Sequence, residues 1–165
     1  MNQIKNYFLV VLVAAFSFAG CSKDSNSGTT STSGQGELTG TGGVTFSVNG
    51  TNALFSRQTI SGVSTINIIG IVGTGKQFSI AANNITATGT YSLAPNAIPN
   101  SLISVTYVAG SATTDNYFST ASGATAGSIT ITTLSATSIE GTYTAKVTNT
   151  SAAALSVTGT FKGTF

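Results

Sequence analysis

The chain has no His and no Trp, one Cys, two Pro, six Lys or Arg and four Asp or Glu in 165 residues. Each shortage closes a class of function. Without His or a cluster of Cys there is no zinc site of the usual N/S kind, and no His-based nucleophilic triad. A formal net charge of +2 with 6% charged residues does not make the basic stripe that nucleic-acid binding needs. What the chain has instead is 29 Thr, 22 Ser and 19 Gly, a composition that favours strands and turns.

Residues 1–20 read as an export signal. Lys5 precedes an apolar run from Tyr7 to Ala19, too short for a transmembrane helix, which needs about 20 residues. Phe18-Ala19-Gly20-Cys21 resembles the bacterial lipobox, although Phe18 stands where Leu is usual. The resemblance implies lipid attachment at Cys21, with palmitate among the acyl chains, and several chains on one terminus hold a protein at a bilayer firmly. Residues 21–42 then read as the lipidated Cys and a flexible Ser/Thr/Gly tether, with Leu38 the only large apolar residue. Lys23 and Asp24 leave the periplasmic and outward-facing placements on the outer membrane both open.

From residue 43 to 165 the pattern has period two, and it predicts a single all-β domain. Val44, Phe46 and Val48 alternate with Thr45 and Ser47, Asn49-Gly50 predicts a hairpin turn, and Ala53 and Phe55 carry the inward face of the return. Further strands are predicted over 65–72, 76–82, 88–93, 102–109, 116–121, 128–133, 139–147 and 155–165. The prolines, Pro95 and Pro99, mark the main irregular connection, 94–101. Hairpin-length links without helices predict an antiparallel β-sandwich or flattened β-barrel of about eight to ten strands.

The layout resembles small uncharacterised lipoproteins of Bacteroidota: the lipobox and linker, the opening Val44-Thr45-Phe46-Ser47-Val48-Asn49-Gly50, the middle Gly89-Thr90-Tyr91, and the late Gly127-Ser128-Ile129-Thr130-Ile131 and Ile139-Glu140-Gly141-Thr142-Tyr143. The resemblance implies an all-β domain in the cell envelope and carries over no site residues.

Little chemistry is available after residue 42. Asp115 and Glu140 are its only carboxylates, against Arg57, Lys76, Lys146 and Lys162. Two acids could serve a glycosidase, yet Glu140 falls on the solvent face of a strand and Asp115 in a turn, so no catalytic residue is assigned. There is no Asp-rich Ca²⁺ loop, and Gly70-Ile71-Val72-Gly73-Thr74-Gly75 lacks the helix and Lys-Ser/Thr pair of a phosphate cradle. No cofactor or metal is expected. A non-catalytic module binding a glycan or peptide competes with a structural envelope protein that has no small ligand. For binding, exposed aromatics matter most: Tyr107 is in phase with the core, whereas Tyr117 and Phe118 point to opposite faces of one strand. Triplets such as Thr130-Ile131-Thr132 and Thr142-Tyr143-Thr144 have the spacing of ice-binding arrays but no repeat period.

The last two strands predict a register. With Val147 opposite Leu155, Tyr143 covers Gly159 and Phe161 covers Gly141, and Glu140 meets Lys162 as an exposed pair.

Overall fold

The structure, a computed structural model, describes residues 29–93, 103–120, 122 and 126–165. The signal, Cys21 and both prolines lie outside the described residues. Ten strands follow in chain order: β1 Thr29–Gly42, β2 Phe46–Ile60, β3 Val63–Gly73, β4 Lys76–Asn83, β5 Gly89–Ser92, β6 Ile103–Val108, β7 Asn116–Phe118, β8 Gly127–Leu134, β9 Ser138–Thr148 and β10 Ala154–Thr164. All pair antiparallel in one sheet of order β10-β1-β2-β3-β4-β6-β7-β9-β8-β5, and a further β9–β10 pairing closes it into a ring. The β7–β9 seam is one residue pair, Phe118 with Thr148. The all-β, antiparallel sandwich or flattened barrel read from the sequence is the observed class.

The tether expectation fails over its last 14 residues. Thr29–Gly42 is a 14-residue strand between β2 and β10, so the folded domain starts well before residue 43. Leu38 is fully buried, and one buried leucine is enough because glycines occupy the other inward positions. A Cβ on Gly36 would come within 2.7 Å of the Phe55 ring, and one on Gly40 would meet the Phe46 ring. The large side chains of β2 fill what β1 leaves bare.

The Asn49-Gly50 hairpin is also absent. β2 runs straight through it, Gly50 has φ +55°, and the partner register jumps from Gly36↔Gly50 to Gln35↔Leu54. The left-handed conformation that Asn-Gly provides makes a bulge here, because β1 pairs with both halves of the strand. The strand predicted over 116–121 is likewise shorter. After Phe118 the Ser119 side chain takes over, its Oγ accepting the Val105 N–H at 2.9 Å while fully buried.

β9 and β10 adopt the predicted register: Val147↔Leu155, Tyr143↔Gly159, Phe161↔Gly141 and Glu140↔Lys162. A Cβ on Gly141 would lie 2.5 Å from the Phe161 ring, and one on Gly159 would lie 2.7 Å from the Tyr143 hydroxyl. The core continues through Phe78, whose ring centroid is 5.0 Å from Phe46 and 5.2 Å from Tyr143.

Tyr143 donates its hydroxyl to the Thr39 carbonyl at 2.7 Å, joining β9 to β1 across β10. Burial pushes its pKa well above that of a free tyrosine. A raised folded-state pKa contributes stability that is whole below the unfolded value, about pH 10, and is lost as pH rises towards the folded value. Tyr143→Phe should therefore cost about 1 to 2 kcal/mol at neutral pH and lose less than wild type between about pH 8 and pH 11. Urea unfolding midpoints at the two pH values measure both effects.

Candidate functional site

Period-two alternation makes the outer wall of β1, β10, β9, β8 and β5 a ladder of polar rungs. In one rung Thr39 stands beside Thr160 with hydroxyls 2.8 Å apart, followed by Thr142, Thr130 and Thr90 in register. Thr90 and Thr130 hydroxyls are 2.9 Å apart. The next rung runs Thr41, Thr158, Thr144, Ser128 and Ser92. These hydroxyl pairs lie closer than the ~4.8 Å strand spacing, so they bond one another instead of standing on an even lattice. That geometry disfavours an ice surface.

The third rung is different. Lys162 of β10 lies opposite Glu37 of β1 on one side and Glu140 of β9 on the other. The Lys162 Nζ is 3.7 Å from Glu140 Oε2, with side chains 70% and 45% exposed. Three of the seven charged side chains among the described residues thus share one rung. Gln35, Glu37, Thr133, Ser138, Glu140 and Lys162 line a shallow groove of about 440 Å³. Among the described residues no ion pair joins the Glu37 carboxylate, and Glu37 is one of the residues that line the groove.

The two carboxylates counted from the sequence do not meet. Asp115 sits in a single 3-10 turn, Thr113–Asp115, where its Oδ2 accepts the Ala112 N–H at 3.2 Å. Asn149, just past the far end of β9 from Glu140, donates to the neighbouring Thr114 carbonyl at 2.8 Å. Glu37 instead supplies the second acid, two strand spacings or about 10 Å from Glu140. Sequence reasoning missed it by assigning residue 37 to the tether. The available signal was the alternation Gly34-Gln35-Gly36-Glu37-Leu38-Thr39-Gly40-Thr41, a strand pattern with glycine at the inward positions.

Tyr107 and Tyr117 belong to the core or pack against it, whereas Phe118, opposite Thr106 and Thr148, lies on the other face of β7. Tyr107 is buried, as its phase predicts, and Tyr117 pairs with it across β6–β7 at a ring distance of 6.0 Å. Burial first, then the neighbouring Tyr117, raises the Tyr107 pKa. Phe118 is half-buried, and among the described residues no aromatic side chain is exposed. Among those residues no group of three or more His, Cys, Asp or Glu could hold a metal ion.

The Glu140–Lys162 pair is solvated, and an exposed cross-strand ion pair contributes only about 0.2 to 1 kcal/mol. Glu140→Gln is expected to leave the thermal midpoint within a few degrees of wild type. A thermal melt followed by circular dichroism checks it.

No protein-family model, curated protein or solved structure matches this chain.

Proposed function

We propose that this is a lipid-anchored protein of the bacterial cell envelope whose β-domain binds a glycan without catalysing its turnover. The observation that carries this reading is the carboxylate–ammonium–carboxylate rung of Glu37, Lys162 and Glu140 in an open groove beside hydroxyl rungs. Sugar hydroxyls both donate and accept, and a surface offering carboxylate acceptors beside an ammonium donor answers both needs. Openness speaks against catalysis, because a general acid needs an enclosed, apolar setting to hold its proton at neutral pH. The anchor rests on the apolar run of residues 7–19 and the Ala19-Gly20-Cys21 sequence, in keeping with the Bacteroidota lipoprotein resemblance.

Glycan and peptide arrays probed with residues 22–165 test the binding. A glycan hit should weaken about tenfold or more in Lys162→Met, since a hydrogen bond to a charged group contributes about 1.5 to 3 kcal/mol. A peptide hit, or a glycan hit indifferent to Lys162, would refute it. The hydroxyl–hydroxyl bonds within one threonine rung, Thr39–Thr160 and Thr90–Thr130, favour a second reading, a structural envelope protein with no small ligand, which clean arrays would support. For the anchor, a palmitate analogue should label wild-type cells and not Cys21→Ser.

A further inference from the structure

The tip of the β2–β3 hairpin joins two features. Ile60 and Val63 are register partners across the two-residue turn Ser61-Gly62, where φ is +50° and +83°. They are 49% and 50% exposed, two of only four large apolar side chains that are exposed among the described residues. Their place is set by β1, whose first described residue, Thr29, pairs with Ile60. The chain coming from Cys21 therefore enters the sheet beside this apolar tip. On the other face of the hairpin, opposite the buried Ile66, Arg57 is held by its Nε donating to Ser64 Oγ and its Nη1 donating to the Ser135 carbonyl, both at 3.0 Å. No carboxylate pairs with it among the described residues.

We infer that the β2–β3 tip docks on the lipid bilayer to which the chain is anchored, with Ile60 and Val63 in the headgroup–acyl boundary. The inference rests on the anchored reading of Cys21. Eight residue steps separate Cys21 from Thr29, a reach of at most about 28 Å, whereas the 15-residue β2 extends about 50 Å. The span is too short to let the domain stand on its opposite end, and it holds the tip near the lipid at high effective concentration. A pair of exposed aliphatic side chains at a turn suits the interface, where apolar groups bury. The described acids lie elsewhere: Glu37, the nearest along β1, is eight residues from Thr29. In this pose the Glu37–Lys162–Glu140 groove stands off the membrane and stays open to a ligand.

Depth-dependent quenching tests this. A nitrobenzoxadiazole label on Val63→Cys, or on Thr74→Cys in the β3–β4 turn as control, is read against doxyl-lipid in phosphatidylcholine–phosphatidylglycerol vesicles. One arm uses the protein with its native anchor. The other uses Cys21→Ser with a hexahistidine tag replacing residues 1–20, held by nickel-chelating lipid. Quenching at 63 should exceed that at 74 by roughly threefold or more in both arms, and adding Ile60→Asp should bring it down to the control level. Equal quenching at the two positions in the nickel-lipid arm overturns the tip assignment, whatever the anchor. Preferential quenching at 63 in that arm, with no palmitate label on wild-type Cys21, would uphold the tip and refute the native lipid anchor.

Discussion

A chain beginning at Gly43 is expected to have no cooperative unfolding transition, while one beginning at Ser22 unfolds as a single domain. The shorter chain removes all of β1, Thr29–Gly42, which pairs with β2 and β10 and without which the ring is open. Loss of the fully buried Leu38 alone should cost about 2 to 5 kcal/mol. The backbone edges of β2 and β10 would be exposed together, and the Tyr143 hydroxyl would lose its acceptor, the Thr39 carbonyl. These losses together exceed what a domain stable by about 5 to 15 kcal/mol tolerates. Near-ultraviolet circular dichroism and urea titration distinguish the outcomes: a sharp transition in the shorter chain would mean that β1 is dispensable and that residues 29–42 behave as a tether.

Phe55→Ala is expected to be the most damaging single truncation, at about 3 to 5 kcal/mol, lowering the melting temperature by roughly 10 to 20 °C in a domain of this size. Phe55 is fully buried and covers glycines on two strands. A Cβ on Gly163 would lie 2.5 to 2.7 Å from three of its ring atoms, and one on Gly36 would lie 2.7 Å from its Cε2. With no side chains on those neighbours, little can move into the cavity. The same geometry sets the sign of a second substitution. Gly163→Ala should destabilise the wild type by about 1 to 3 kcal/mol through overpacking, and cost less or become favourable in Phe55→Ala, where the ring is gone. A double-mutant cycle by chemical denaturation measures this coupling, and additive effects would mean that the ring does not fill the glycine gap.

The same glycine–aromatic complementarity explains what the sequence discloses and what it hides. In β9 and β10 the inward positions alternate rings, aliphatics and glycines, so Ile139, Tyr143 and Phe161 mark the strands and a single register satisfies both rings. In β1 the inward positions are Gly34, Gly36, Leu38 and Gly40, and the rings that complete them belong to β2. Taken alone, that segment has too little apolar surface to offset the entropy of ordering it, and its strand identity is conferred by partners distant in sequence. Asn49-Gly50 misleads for a related reason: a left-handed pair serves a hairpin or a bulge equally well, and only β1 decides between them. The site divides along the same line. Glu140 and Lys162 are legible as a pair because both lie in strongly alternating strands, whereas Glu37 is not, and without it the groove reads as an isolated surface ion pair.

The most direct test of a glycan site on the charged rung is a nuclear magnetic resonance titration of residues 22–165 with the strongest glycan from the arrays, read on backbone amides. The expected result is a contiguous set of saturable shifts on β1, β10 and β9 centred on Glu37, Lys162 and Glu140, with a midpoint about tenfold or more higher in Lys162→Met. Shifts centred on the β6–β7 end around Tyr117 and Asp115, or none at saturating glycan, would contradict it.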